Sequence, residues 1–178
     1  MAKLKYKPHE LDGLYSYQLV NMIREDLNVA KSCRARHWAT FSIDNLEYLL
    51  SKWPQLIDKC DHNKLNGEAW AGILAKQPEL ADKCDFDKLR GCDWIYLLIY
   101  QPHFYNICQW DKLTGRNWVE IIYSQPQFID KCDWGKVRID DWHWMLSDIS
   151  PYWLKLDDRD INALLHIGIN LDLPNDRD

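Results

Sequence analysis

A chain of 178 residues, 47% hydrophobic and holding ten Trp, suits one domain with an ample apolar core. A net charge of −5 and a sequence pI near 5.6 argue against a nucleic-acid binder that relies on bulk positive charge. No uninterrupted run of about 18 apolar residues occurs, so no membrane span is expected, and the lysine-rich start lacks the apolar core of a signal peptide.

Residues 1–41 read as an N-terminal helical cap and connector. Leu14, Leu19, Met22, Ile23 and Leu27 recur at helical spacing, which predicts one amphipathic helix within 11–30, started near Asp12 or Ser16. Residues 31–41 lead from it into a repeated unit whose aromatic and leucine positions Trp38 and Phe41 already match.

Residues 42–150 are tandem copies of that 24-residue unit. Trp70, Trp94, Trp118 and Trp142 open four copies, and an earlier copy has Leu46 in the Trp place. Apolar pairs follow at offsets 3 and 4: Leu49-Leu50, Ile73-Leu74, Leu97-Leu98, Ile121-Ile122 and Met145-Leu146. Then come Pro54/Pro78/Pro102/Pro126, Leu56/Leu80/Phe104/Phe128, Cys60/Cys84/Cys108/Cys132, His62/Phe86/Trp110/Trp134 and Leu65/Leu89/Leu113/Val137. A glycine closes three copies, Gly67, Gly91 and Gly115, and Ile139 stands in its place in the last. A fixed period in this range marks a repeat protein.

Offsets 0, 3 and 4 share one face of an α-helix. The helix is expected to start near the Gly, with Ser42, Asn66 and Thr114 as N-caps. It must end or kink before the Pro, which then opens a second, short helix. The Cys-Asp-aromatic segment suits only a turn or a short 3₁₀ cap, with Asp61, Asp85 and Asp133 favouring the turn. The apolar side chains of a single copy do not offset the entropy of ordering its own backbone, so copies must lean on one another. The predicted fold is all-α: a right-handed α-solenoid of short helices, about four and a half repeats, with alternating α and 3₁₀ segments as one form of it.

The pattern W-x-x-[IL]-L-x-x-Q-P-x-[LF]-x-x-x-C-D-[FW]-x-K-L-x-G resembles the Trp-rich tandem helical repeats of uncharacterised bacterial and phage proteins, over roughly residues 42–150. In length and helix usage it is loosely similar to the leucine-rich variant repeat, which alternates α and 3₁₀ helices. Neither resemblance implies an activity or assigns a functional residue.

Beyond the repeats the register slips, because the step from Pro126 to Pro151 is longer by one than the step from Pro102 to Pro126. Ile161, Leu164 and Leu165 predict a last helix begun near Asp157 or Asp158, so residues 151–178 read as a C-terminal cap and tail. Four of the six Cys occupy one repeat position and fall about 10 Å apart in stacked helices, too far for a disulfide. No C-x-x-C pair occurs, so no metal is expected. The cysteines read as small buried hydrophobes in a reducing, cytoplasmic compartment.

The variable positions carry whatever the protein recognises. Offsets 2, 5 and 6 point away from the core, and beside small or charged residues such as Ser51, Lys52, Gly72, Lys76 and Glu120 they hold Tyr48, Tyr96, Ile99, Tyr100, Tyr123 and Trp144. These six are large and mostly aromatic where a plain solvated helix carries charge, and the ridge of Tyr96, Ile99, Tyr100, Tyr123 and Trp144 resembles a protein-binding surface in composition. Alternatively the Pro-started helices cover this face as a second layer, and a mixed outcome buries the central residues while leaving Tyr48 and Trp144 exposed.

Lys64, Lys88, Lys112 and Lys136 recur once per copy and could track phosphates as a nucleic-acid-binding helical repeat does. Neighbouring Asp87 and Asp111 favour a self-neutralised surface ladder instead, and Lys59, Lys83 and Lys131 form a second ladder interrupted at Ile107. His62, His103, His143 and His166 occupy unrelated repeat positions and no glycine-rich phosphate loop is present, so neither catalysis nor a cofactor is expected. The sequence thus points to a non-catalytic protein binder, a stoichiometric inhibitor or regulator of the kind phages direct at bacterial defence nucleases, with homodimerisation open.

Overall fold

The structure, a computed structural model, describes residues 6–138, 140 and 141. The expectations for Ile139, for Trp142 and Trp144, and for the C-terminal cap lie outside the described residues. Among the described residues all regular structure is helical, in short α-helices and 3₁₀ segments, with no strand. The chain divides into two compact units, Met1–Gln109 and Trp110–Asp178.

In the first unit the amphipathic helix expected within 11–30 does start at Ser16, but it ends before Leu27 and shorter helices follow it. A 3₁₀ turn at Pro8–Leu11 is followed by α1 (Ser16–Glu25), α2 (Val29–Ser32) and α3 (Ala35–Ala39). Helix α1 begins after Tyr15, whose N–H donates to Gln18 Oε1 at 2.9 Å. It stops because Asp26 turns extended and its carboxylate takes the Asn28 N–H at 2.9 Å, a local bond that competes with further helix.

These elements are a further copy of the repeat. Leu19, Met22, Ile23 and Cys33 precede Leu46, Leu49, Leu50 and Cys60 by a constant step, and Trp38 and Phe41 precede His62 and Leu65 by a step three shorter. The extra residues between Cys33 and Trp38 let α3 replace the shorter 3₁₀ turn of the later copies. Leu19, Ile23, Trp38 and Phe41 are buried, and α1 packs on α4 (Ile43–Lys52). Helix α5 (Gly67–Leu74) packs on α4, and α6 (Gly91–Tyr100) packs on α5.

Local signals explain each helix boundary. Ser42 Oγ accepts the Asn45 N–H at 3.2 Å and Asn66 Oδ1 accepts the Ala69 N–H at 2.9 Å, as expected of N-caps. At α6 the cap comes from inside the helix: Asp93, 4% exposed, takes the Arg90 N–H at 2.9 Å. Helices α4 and α6 end at Lys52 and Tyr100, where Trp53 and Gln101 leave helical geometry ahead of proline. Each Pro does open a second, short helix, and it is 3₁₀, which gives the alternation of α and 3₁₀ segments named as one form of the predicted fold: Pro54–Lys59, Pro78–Lys83 and Pro102–Asn106. Further 3₁₀ turns follow at His62–Lys64 and Phe86–Lys88, where Asp61 and Asp85 accept the N–H two residues on.

The second unit repeats the pattern in α7 (Gly115–Ser124), with Thr114 as N-cap, and in 3₁₀ segments Trp110–Lys112, Pro126–Lys131 and Trp134–Lys136.

Packing is alike at equivalent positions. Trp70 and Trp94 in the first unit and Trp118 in the second are fully buried, and their apolar pairs are buried with them. Phe86 stacks on Trp94 at 5.5 Å between centroids, and Trp110 stacks on Trp118 at 5.2 Å. The fixed place of glycine has a steric reason in both units. A Cβ at Gly67 would stand 2.9 Å from Leu89 Cα and 2.6 Å from Asp93 Oδ2, and one at Gly115 would overlap the Lys136 carbonyl and the Asp141 carboxylate.

Candidate protein-binding surface

The central tyrosines of this face are exposed and Tyr48 is not, which differs at these residues from the mixed outcome considered from sequence. On α6, Tyr96 and Tyr100 are 42% and 59% exposed, with ring centroids 4.8 Å apart, so the Pro-started 3₁₀ segments do not cover them. Ile99 between them is half-buried. Tyr48 on α4 is also half-buried: Arg24 from α1 lies over its ring at 5.2 Å and Lys52 from its own helix at 5.3 Å. Tyr123, in the second unit, is exposed on α7. Trp144 lies outside the described residues.

Two contributors to the exposed surface were not selected from sequence. Tyr105 and Ile107, in and just after the 3₁₀ segment Pro102–Asn106, are 41% and 48% exposed. Ile107 holds the place that Lys59, Lys83 and Lys131 hold in other copies. That break in the lysine pattern was the available signal, and it marks a gain of apolar surface as well as the loss of a cation.

A carboxylate, Glu47, carries charge toward α6. Its side chain lies against α5 at Gly72, where a Cβ would overlap Oε1 and stand 3.1 Å from Cδ. Burial raises the pKa of Glu47, with Lys76 opposing and Asp44 and Glu68 adding to the rise. Burial also raises that of the Tyr96 phenol, helped by Tyr100 and by the charge of Glu47.

The lysine ladder is built into the backbone. Lys64 Nζ donates to Ala39 O at 2.6 Å, and Lys88 Nζ to Asn63 O at 2.7 Å and Leu65 O at 3.1 Å. In the second unit Lys136 Nζ reaches Asp111 O at 2.8 Å and Leu113 O at 3.2 Å. Each of these ammoniums therefore closes carbonyls one copy earlier, a use that the self-neutralised ladder read from sequence did not include. Lys112 is half-buried. Gln77 and Gln101 make the same kind of bond, donating to Ser51 O at 2.9 Å and Ala75 O at 3.0 Å.

The pair that most resembles catalytic machinery is His37 with Asp12. His37 is 5% exposed; its Nδ1 accepts the Arg34 N–H at 3.0 Å, which leaves Nε2 to donate to Asp12 Oδ1 at 3.0 Å. Both ring nitrogens are thus committed to structure, and Arg36 and Arg34 hold the other Asp12 oxygen. Burial opposes the charged form of Asp12, but the hydrogen bonds from Arg36 and His37 outweigh it and keep its pKa low. Burial pushes the Cys33 thiol up to about 11 and those of Cys60, Cys84 and Cys132 to about 12, so these sulfurs are poor nucleophiles.

No family model matches the chain, and no curated protein or solved structure shows significant similarity to it. No helix among the described residues is long and apolar enough to cross a membrane.

Proposed function

We propose that the repeated copies stack as a right-handed α-solenoid whose role is to bind another protein, as a stoichiometric inhibitor or regulator, through the outer face of the copy opened by Trp94. The observation that carries this reading is the run from Tyr96 to Ile107. It holds four of the seven exposed large hydrophobic side chains among the described residues, so the apolar surface is concentrated rather than scattered. The free cysteines accord with a reducing, cytoplasmic setting.

The nucleic-acid reading through Lys64, Lys88, Lys112 and Lys136 draws less support, because three of these ammoniums are engaged on backbone carbonyls. Co-purification with the wild-type chain, compared with the Tyr96→Ala/Tyr100→Ala double variant, tests the proposal. The expected result is a protein partner retained at about 0.5 M salt, where surface charges are screened, and lost from the double variant. A partner that is nucleic acid released by salt, or a protein retained equally by the double variant, would overturn it.

A further inference from the structure

Comparison of α4 with α6 in the first unit carries the reading of the tyrosine face further. Tyr48 and Tyr96 are the same repeat position, two copies apart. At Tyr48 the ring is covered by two cations: Arg24, from the preceding helix α1, and Lys52, four residues on in the same helix. In the register that sets Leu19 on Leu46 and Leu46 on Trp70, the equivalents of these two cations around Tyr96 are Ala75, just past α5, and Tyr100 on α6. Tyr96 is therefore Tyr48 with its internal cations taken away, one replaced by a small residue that leaves the ring open and the other by a second ring. Glu47 adds a carboxylate whose charge reaches Tyr96, in a notch that Gly72 opens.

We propose that Tyr96, Tyr100 and Glu47 receive an arginine side chain of the partner protein, supplying from outside the cation that Arg24 supplies to Tyr48 from within. A guanidinium fits both halves of this receptor at once: its plane stacks on a tyrosine ring while its N–H fork meets a carboxylate. Asp44 and Glu68, both within electrostatic reach of Glu47, add to the attraction for a cation, and Lys76 is the opposing charge there. Arg90 is committed to Asp93 at 3.0 Å, leaving its guanidinium engaged elsewhere.

This inference rests on the tyrosine face being the protein-binding surface, and the test separates the two. The probes are two acetylated five-residue peptides, alike except that one carries arginine and the other citrulline, its neutral isostere, at the centre. Titration into the full chain is followed by the ring-proton NMR signals of Tyr96 and Tyr100. The expected result is a saturable shift with the arginine peptide and binding about two- to fivefold weaker with citrulline, the scale of an exposed cation–π contact. Ala75→Arg, which rebuilds the internal cation seen at Tyr48, should abolish the arginine-dependent shift with the thermal melt unchanged. Glu47→Gln should weaken binding by a similar factor of about two to five and serves if Ala75→Arg perturbs the fold. Equal response to citrulline, no saturable shift with arginine, or unaltered binding in Glu47→Gln would overturn the inference. If those results accompany loss of the protein partner from Tyr96→Ala/Tyr100→Ala, only the arginine assignment fails; if the partner is retained there, the face itself is misassigned.

Discussion

Single positions in this chain are constrained mostly from one copy away. Gly67 is glycine because the loop ending the next copy, at Lys88 and Leu89, lies against its Cα. Gly67→Ala is expected to cost about 1–3 kcal/mol in chemical denaturation, the usual penalty for forcing atoms into a packed site. Gly13→Ala, with nothing within 4 Å, should leave the midpoint unchanged. Lys88 behaves likewise: Lys88→Met keeps the stem and removes the ammonium from two carbonyls, a loss of about 1–3 kcal/mol. The recurrence of such residues was visible in the sequence, but the partner was not. A lysine that returns in every copy looks identical whether it meets phosphate, aspartate or a carbonyl, because sequence spacing gives no distance between copies. The exposed thiol of Cys92 should be the first of the described cysteines to react with iodoacetamide at about pH 8, followed by mass spectrometry, since the others are less exposed.

Helix boundaries were the most legible feature. Ser42, Asn66 and Thr114 cap as their residue types dictate, and each repeat proline opens a helix at its first position. What the sequence hid was the α1 copy, whose match to α4 emerges only when the insertion between Cys33 and Trp38 is set aside. Asp93 was hidden for another reason. A carboxylate just before a core Trp reads as surface charge, yet it closes the start of α6 and is buried beneath Arg90. Asp93→Ala is expected to destabilise by about 2–3 kcal/mol in urea unfolding, since it removes a cap and leaves a backbone N–H unmet. Asp93→Asn, which can still accept the Arg90 N–H, should cost less.

At the scale of the whole chain, its raised thiol pKa values set a direction for stability against pH. The folded thiols of Cys33, Cys60, Cys84 and Cys132 hold their protons to about 11–12, while unfolded thiols ionise from the ordinary value of 9.0. The unfolded chain therefore binds fewer protons in that window, and stability should fall as pH rises above about 9. Urea midpoints at about pH 8 and pH 10 check this, and replacing Cys60 and Cys84 by Ala should reduce the difference between them. One further consequence follows from the direction of the side-chain ties. Lys64, Gln77, Lys88, Gln101 and Lys136 all reach backward, to carbonyls 23–26 residues nearer the N-terminus. A nascent chain leaving the ribosome can thus fasten no copy until the following one has emerged, so translation always carries a single unlatched edge that the next stretch of polypeptide arrives to shut.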